Sequence, residues 1–495
     1  MKKLFAIVLL LPVLIASAQK KNDPTTFAKS ITPDDMKKHL YIVASKEMEG
    51  RETATPGQKK AAAYIESQFR SLGLTPGNNG SYQLPYGVYQ DSLLSASIDV
   101  NGKIFELDKD FSLSIGQTST ATYRFGEIVF VGNGLVDSLH DDYKGLDVRG
   151  KAVLMLPAQV QQGRGNFTNP FARLDAAQKN GAVAVLVIGA NFPRSTKTNP
   201  KGNMYVNAFQ KVVRPNQFQV SEKVAEAIMG DDYAKAKAGA IPPKTYPADL
   251  TLAFNKATTN LQSSDVLGVL EGTVTGHYDH LGKRDTVIYY GADDDGSGTV
   301  GVLEIAEAFV KAKQAGKGPR RTMVFMTVSG EEKGLWGSAY YTNHPVFPLD
   351  KTTVDLNIDM IGRVDTSRHQ GDSSNYVYVV GDDKISTDLK VISESINKKY
   401  TKMELDYKFN DPNDRQRIYF RSDHYNFAQK GVPIIFYYDG MLGGDYHRPT
   451  DTPDKINYNL MAKRAQLVFY TAWEMANRDA MLKRDLKLEV PQRGF

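Results

Sequence analysis

Two short stretches of this sequence, GHYDHLG at residues 276–282 and GADDDGSG at residues 291–298, concentrate its most reactive side chains. In the first stretch, Asp279 lies two residues after His277. In the second, the three consecutive aspartates 293–295 are flanked by glycine and serine residues. Adjacent carboxylates repel one another, and a divalent cation would turn that repulsion into attraction. Asp-Gly and Ser-Gly pairs are also typical of surface turns. Taken alone, these residues favour a metal site and an acidic turn about equally.

The segments around these stretches indicate the fold class. Apolar runs typical of buried strands occur at residues 266–270, 323–328 and 432–438, and residues 299–312 have the pattern of a largely buried helix. Strands and helices alternate from there to the C-terminus, which predicts a sheet covered by helices on both faces. We therefore expect an α/β fold with a mixed, mostly parallel central sheet.

Further strand ends carry acidic or histidine side chains. Glu331 and Glu332 follow the strand that ends at residue 328, Asp359 lies at the edge of an apolar run, and His447 lies in the loop after residues 432–438. Sites in open α/β sheets lie beyond the carboxyl ends of the strands. Two adjacent glutamates point in different directions and can take different roles, and buried carboxylates are usually paired or metal-bound. The combined pattern favours one metal site built from several strand ends.

The histidines divide into two groups. Among the eight, only His277, His280 and His447 lie in loops beside acidic clusters. The others have the surroundings of ordinary surface or packing residues: His39, His140, His344, His369 and His424.

Length and composition limit the classes of protein that are possible. A chain of 495 residues suggests more than one domain, or one domain with a large insertion. The hydrophobic content of 41% is ample for sizeable cores, and the charged content of 24% is ordinary. The formal net charge of +5 is small for this length, and no basic stripe is present. We therefore expect no nucleic-acid partner.

Residues 1–18 have the features of a secretory signal peptide. Lys2 and Lys3 form a basic start, residues 4–15 are apolar, and Ala-Ser-Ala at residues 16–18 is a typical cleavage sequence. No segment approaches the ~20 apolar residues that span a bilayer, so we expect no membrane span. The chain has no cysteine and must be stabilised without disulfides. These features predict an exported, periplasmic or extracellular protein.

In combination, the motifs HYDHLG, GADDDGSG, SGEE, DMIG and YHRPTDTPDKI resemble those of the co-catalytic two-zinc exopeptidases. This family includes aminopeptidase Y, secreted bacterial leucine aminopeptidases and glutamate carboxypeptidase. The resemblance covers nearly the whole mature chain and implies two Zn²⁺ per chain and a peptide substrate. It also implies a catalytic domain formed by residues 19–120 and 256–495, interrupted by a protease-associated (PA) domain at residues 121–255.

The resemblance assigns roles to individual residues. It implies one zinc bound by His277, Asp294 and Asp359, and a second bound by Glu332 and His447, with Asp294 bridging both ions. A carboxylate can bridge because each of its oxygens can bind one ion, which a neutral histidine cannot do.

The resemblance also implies the catalytic residues. Glu331 would be the general base, Asp279 would fix the tautomer of His277, and Tyr446 would donate a hydrogen bond to the tetrahedral intermediate. In relatives the peptide bond after the bridging aspartate is cis, which here is Asp294–Asp295. The expected activity is that of a zinc-dependent aminopeptidase that cleaves N-terminal residues from peptides by means of a metal-bridging hydroxide.

Two alternatives remain open from the sequence. Arg415, Arg417 and Arg421 form a basic cluster that would suit a carboxypeptidase for acidic C-terminal residues. The second alternative is a catalytically impaired binding homologue. It stays open because residues 273–276, before His277, are too few for the hairpin that relatives have there. Either residues 266–270 lead straight into the site, or a strand is missing. Oligomeric state and side-chain preference are not indicated by the sequence.

Overall fold

The computed structural model describes residues 23–137, 141–157, 171–207, 213–270, 274–411 and 413–489. The predicted signal peptide lies outside these residues. The chain divides into two compact units, one formed by the residues up to Tyr86 and those from Ser263 onward, the other by Gly87–Gln262. The predicted inserted domain, residues 121–255, lies within the second unit, and its kinship to PA domains stays a prediction.

The described residues form strands and helices in alternation. The strands are β1 (Thr75–Pro76), β2 (Gln83–Val100), β3 (Lys103–Phe105), β4 (Phe111–Leu113), β5 (Ala121–Phe130), β6 (Ala152–Met155), β7 (Ala184–Ile188), β8 (Lys201–Tyr205), β9 (Asn216–Val220), β10 (Lys244–Leu270), β11 (Val274–His277), β12 (Lys283–Arg284), β13 (Val287–Ile288), β14 (Met323–Val328), β15 (Asp355–Ile358), β16 (Tyr376–Val380), β17 (Glu404–Asp406) and β18 (Ile434–Tyr438). The helices are α1 (Thr25–Ala28), α2 (Pro33–Val43), α3 (Pro56–Ser71), α4 (Ala172–Lys179), α5 (Glu222–Met229), α6 (Asp232–Lys237), α7 (Gly298–Gln314), α8 (Trp336–Asn343), α9 (Thr387–Tyr400), α10 (His424–Gln429) and α11 (Tyr458–Asn477). Short helical turns lie at Lys46–Arg51, Ala292–Ser297, Lys408–Asn410, Ile418–Phe420 and Pro453–Lys455.

The first unit is built on a mixed, mostly parallel sheet, which confirms the predicted fold class. Its strand order is β17-β16-β18-β15-β11-β14-β10. The neighbours β18, β15, β11 and β14 run parallel to one another, whereas β10 runs antiparallel to β14 and β16 antiparallel to β18.

Helices cover both faces of this sheet. Met323 and Phe325 of β14 belong to one hydrophobic core with residues of α7 and α11, whereas Val324 and Met326 belong to another core with residues of α8 and α10. Successive side chains of a strand point to opposite faces, so both faces of β14 must be apolar. This explains why the central strands are continuous apolar runs in the sequence.

The parallel strands bring their carboxyl ends to one edge of the sheet. β11 ends at His277, which pairs with Val328, the last residue of β14. β15 ends at Ile358, which pairs with Tyr437 of β18. The residues that follow these strands therefore emerge side by side.

The short segment before His277 forms β11, a four-residue strand at Val274–His277. β11 lies between β14 and β15, whereas residues 266–270 of β10 pair with the opposite edge of β14. Residues 266–270 therefore do not lead straight into the site, and His277 is delivered by a strand of its own.

The second unit is also an α/β structure. Its strands follow the order β10-β5-β6-β7-β9-β4, with β5, β6, β7 and β9 parallel to one another. It has its own hydrophobic core, to which Ile128, Leu186 and Phe218 contribute. None of its described residues belongs to a group of side chains that could hold a metal ion. Across the described parts of both units, no helix has the length and apolar character needed to cross a membrane.

A buried glutamate makes the stability of the first unit depend on pH. Glu304 of α7 is 1% exposed, and neither of its carboxyl oxygens has a hydrogen-bond partner. Its nearest basic group is Nε2 of His39, 3.5 Å from Oε1. Burial raises the pKa of Glu304 to about 8, and the charges of Glu307 and Asp35 add to the effect. The folded chain therefore holds this proton more tightly than the unfolded chain.

We expect Glu304→Gln to remove part of the loss of stability at alkaline pH. The stabilising effect of the proton on Glu304 is complete below pH 4.5 and is lost as pH rises through about 8. The Gln variant cannot ionise, so its free energy of unfolding at pH 8 should exceed that of the wild type by on the order of 2 kcal/mol. Urea unfolding between pH 5 and pH 8 measures this difference. Glu307→Gln, on the same helix but partly exposed, is the control and should retain most of the wild-type slope.

Candidate metal centre

Three acidic or histidine side chains meet where β11 and β15 end. Nε2 of His277 lies 3.4 Å from Oδ1 of Asp294 and 3.6 Å from Oδ1 of Asp359. All three are buried, and their ligand atoms lie within 4.8 Å of one another. We call this group of His277, Asp294 and Asp359 the first metal position.

A second group forms on the other side of Asp294. Nε2 of His447 lies 3.1 Å from Oδ2 of Asp294 and 3.1 Å from Oε2 of Glu332. We call Asp294, Glu332 and His447 the second metal position. The two oxygens of Asp294 therefore face different groups, Oδ1 toward His277 and Oδ2 toward His447. This is the arrangement that a bridging carboxylate requires.

The donor atoms fit metal ions because the protein leaves several of them without partners. Nε2 of His277, Oδ2 of Asp294 and Oε1 of Glu332 are buried and make no hydrogen bond. An unpaired buried polar atom is costly, and a cation would satisfy all three atoms. Histidine nitrogen and carboxylate oxygen are both ligands that zinc accepts.

The pKa values of the two adjacent glutamates are shifted in opposite directions. Burial raises the pKa of Glu331 well above its usual range, and the charge of Glu332 adds to this effect while His277 opposes it. Burial and the charge of Asp294 would also raise the pKa of Glu332, but contacts with His280 and His447 lower it below its ordinary value. Neighbouring carboxyl groups whose pKa values are pushed apart are typical of a divided acid–base role.

The turn that carries Asp294 is held by the aspartates on either side of it. Oδ1 of Asp295 accepts hydrogen bonds from the backbone N–H of Gly298 at 2.7 Å and of Met360 at 3.0 Å, and Oδ2 accepts one from the N–H of His277 at 3.2 Å. Asp295 thus connects the end of β11, which carries His277, to the residues after β15, which include Asp359. The Asp294–Asp295 peptide bond is cis, as the resemblance implies.

Asp451 holds the same turn from the C-terminal side. Its carboxylate accepts hydrogen bonds from the backbone N–H of Asp293 at 2.9 Å and of Asp294 at 3.2 Å. Among the three consecutive aspartates, Asp294 in the middle therefore faces the other metal-binding side chains, while its two neighbours hold the backbone in position.

Asp279 contacts His277 more closely through its backbone than through its carboxylate. Nδ1 of His277 is 3.1 Å from the carbonyl oxygen of Asp279 and 3.6 Å from Oδ1. The carboxylate accepts hydrogen bonds from the hydroxyl of Thr53 at 2.8 Å and from the N–H of Glu331 at 3.1 Å. Asp279 therefore links the histidine loop to the loop of the two glutamates.

Tyr446 lines a cavity beside both metal positions, and its hydroxyl accepts a hydrogen bond from Arg421 at 3.1 Å. Asp294, Glu331 and Asp359 line the same cavity, whose remaining wall is mostly apolar: Met360, Ile418, Phe436, Tyr438 and Leu442. Among the three arginines of the basic cluster, Arg421 lines this cavity, whereas Arg415 and Arg417 do not.

Arg51 supports the site from the N-terminal part of the chain and was not predicted. Its side chain is buried, and its guanidinium donates hydrogen bonds to the carbonyl oxygens of Val43, Tyr278, Tyr290 and Gly291 at 2.7–2.9 Å. It thereby joins the loop after β11 to the turn before Asp294.

His280 is the other functional residue that sequence reasoning left without a role. Its Nδ1 lies 2.7 Å from Oε1 of Glu332. The signal was present, because His280 is among the histidines beside acidic clusters. By contrast, His424 is buried against Phe436 and its Nε2 contacts the carbonyl oxygen of Tyr419, which is a packing role.

The chain is similar to known peptidases. The model of peptidase family M28 matches residues 269–472, which contain both metal positions and Glu331. Probable leucine aminopeptidases of Trichophyton verrucosum and Arthroderma otae are 32% and 34% identical to the chain over 209 residues, which is 41% of this chain and 53% of each relative. The chain thus spans about half the length of these curated relatives.

A solved structure supports the fold over a longer range. The aminopeptidase from Aneurinibacillus sp. strain AM-1 covers 95% of this chain and all of its own, with a TM-score of 0.54 and 19% sequence identity. At that identity the match concerns the fold alone. The sequence similarity to peptidase family M28 is thus confined to residues 269–472, the part of the chain that carries both metal positions.

Proposed function

We propose that this protein is an exported, zinc-dependent aminopeptidase with two Zn²⁺ per chain. The observation that carries the proposal is the orientation of Asp294, whose two oxygens face two separate groups of donors, 3.4 Å from His277 and 3.1 Å from His447. Such a centre is typical of two-metal peptidases. The names of the relatives, probable leucine aminopeptidases, agree with this activity.

The residues of the chain would divide the work as follows. Zinc ions at the two positions would activate a water molecule and polarise the carbonyl of the scissile bond. Glu331, which lies beside the first metal position with Oε2 3.9 Å from Nε2 of His277, would accept the proton of that water and pass it to the leaving amine. Tyr446 would donate a hydrogen bond to the oxygen that becomes negatively charged, and Arg421 would hold its hydroxyl in place.

The charges of the cavity favour the amino end of a peptide. Asp294, Glu331 and Asp359 line it; because Asp294 and Asp359 would bind zinc, Glu331 is the carboxylate among them that would remain to attract a protonated α-amine. The apolar part of the wall would take the side chain of the N-terminal residue. Arg421 is the cavity residue that could instead bind a carboxylate.

We expect release of the N-terminal residue from an unblocked peptide and little action on its N-acetylated form. Acetylation removes the charge that Glu331 would bind, and this acid left unpaired would cost about 1–3 kcal/mol or more, which lowers kcat/KM by roughly 5- to 150-fold or more. Mass spectrometry of the products of the zinc-loaded protein, with matched free and acetylated peptides, measures both the rate and the end that is attacked.

Other outcomes of the same experiment would support the alternatives. Comparable cleavage of both peptides with release of an acidic C-terminal residue would replace the aminopeptidase by a carboxypeptidase. A protein that binds zinc and peptide but releases no residue would be an impaired binding homologue. The formation of β11 and the presence of every donor of both metal positions argue against impairment.

We also propose that residues 121–255 are a PA domain and that residues 1–18 direct export. Support for the first comes from the separate α/β core of the unit that contains these residues. Support for the second comes from the basic, apolar and Ala-Ser-Ala segments of the N-terminal sequence. N-terminal sequencing of the protein secreted by an expression host would identify the cleavage point.

A further inference from the structure

His280 is a buried histidine whose ring has no partner that explains its position. Its side chain is fully buried, and among the described residues neither Nδ1 nor Nε2 has a hydrogen-bond partner. An imidazole without any hydrogen bond in the interior is costly. The surroundings of its Nδ1 therefore need a chemical explanation.

The atoms nearest to this ring belong to the second metal position. Nδ1 of His280 lies 2.7 Å from Oε1 of Glu332 and 4.0 Å from Oδ2 of Asp294. Although the first distance is short, the two atoms do not have the geometry of a hydrogen bond, and Oε1 of Glu332 has no other partner. Imidazole nitrogen and carboxylate oxygen are both ligands that zinc accepts. The ligand atoms of His280, Asp294 and Glu332 lie within 4.8 Å of one another.

The backbone holds the ring in this position before any ion binds. The N–H of His280 donates a hydrogen bond to the carbonyl oxygen of Arg51 at 3.2 Å. Gly291 packs directly against the ring, since a Cβ at Gly291 would lie 2.5 Å from Cγ and Cδ2 of His280. The absence of a side chain at Gly291 leaves the space that the imidazole fills, and the ring cannot turn in that direction.

We infer that His280 is a fourth protein ligand of the second metal position, through Nδ1, together with Asp294, Glu332 and His447. This inference rests on the proposed function, because it assigns a further residue to the same centre. It makes the two positions unequal. The first has one histidine and two carboxylates, whereas the second has two histidines and two carboxylates. The second position should therefore bind zinc more tightly and release it last to a chelator.

His280→Phe tests the inference because it keeps a ring of similar size and removes both nitrogens. In the full-length protein we expect one metal equivalent to bind more weakly, by at least the ~10–100-fold that loss of a supporting partner of a ligand costs. Zinc content after dialysis against graded chelator concentrations measures this loss. With Co²⁺ in place of zinc, the visible absorption should change in the variant, because a nitrogen ligand is replaced. His447→Ala is the matched comparison, since it removes another histidine from the same position.

A measurement on the wild-type protein avoids the risk that the variant fails to fold. In the proton NMR spectrum of the Co²⁺-loaded protein, each ligating imidazole gives a strongly shifted, solvent-exchangeable N–H signal. We expect one such signal from each of His277, His280 and His447. Wild-type metal affinity and an unchanged Co²⁺ spectrum in His280→Phe, or a signal absent for His280, would overturn the inference and leave the proposed function standing. Failure of the wild-type protein to bind metal would instead remove the proposed function.

Discussion

Glu331→Gln should reduce kcat by about 10²–10⁴-fold while both zinc ions remain bound. The amide cannot accept a proton from water, but it has nearly the same size and leaves the donors of both metal positions unchanged. Burial raises the pKa of Glu331, which is the direction that suits a residue that takes up a proton during the reaction. Steady-state kinetics on an unblocked peptide, with zinc content by elemental analysis of the same preparation, measure the two effects separately.

Glu332→Gln is the matched control for this prediction. It makes the same chemical change in the adjacent residue, whose Oε2 lies 3.1 Å from Nε2 of His447. We expect this variant to lose zinc from the second metal position, so that its activity recovers in part when zinc is added in excess. If the two variants lost metal equally, Glu331 would be a ligand and its role as general base would be rejected.

Asp294→Asn should have the largest effect, since it removes one ligand from each metal position at once. The amide retains a single oxygen and can face only one of the two groups that the Asp294 oxygens contact at 3.4 Å and 3.1 Å. We expect zinc to be lost from both positions under conditions in which the wild type keeps two ions, and activity to fall below detection. The stabilisation that bound zinc gives the folded state should disappear as well, so added zinc should no longer raise Tm.

Asp293→Asn distinguishes a bridging residue from a merely acidic turn. Burial raises the pKa of Asp293 well above its usual range, and the charges of Asp439 and Asp451 add to the effect. Asparagine can still accept the hydrogen bonds that Oδ1 receives from Gly362 at 2.8 Å and from Ser297 at 3.3 Å. We expect this variant to keep both zinc ions. Equal metal loss in the Asp293 and Asp294 variants would mean that the three aspartates act as an undirected charge cluster.

The features that could be predicted from the sequence are those with a local signal. The buried parallel strands are continuous apolar runs, and the polar residues after β14, β15 and β18 mark their carboxyl ends. Because parallel strands end at the same edge, the convergence of Asp359, Glu332 and His447 follows from strand order. Residues 266–270 were predicted as a strand, but β10 is much longer than predicted, and its bounds of Lys244–Leu270 include polar residues before that apolar run. Backbone pairing does not require apolar side chains, so the hydrophobicity pattern does not predict the polar part of such a strand.

The contacts that could not be predicted are those between residues far apart in sequence. Arg51 donates to the carbonyl oxygen of Gly291, 240 positions away, and Asp451 accepts from the N–H of Asp293, 158 positions away. No periodicity or motif spacing in the sequence predicts either contact. The role of His280 was missed for a different reason. Its distance of three residues from His277 does not determine the direction of the ring, which depends on the missing side chain at Gly291.

The contacts of Arg51 set a lower limit on the polypeptide that can work alone. The segment that matches the model of family M28, residues 269–472, excludes Arg51 and the helices around it. A fragment trimmed to that segment would leave the carbonyl oxygens of Tyr278, Tyr290 and Gly291 without the guanidinium that joins them. Anyone building a chimera between this chain and a relative should therefore transfer residues 46–52 along with the segment, as one exchangeable module.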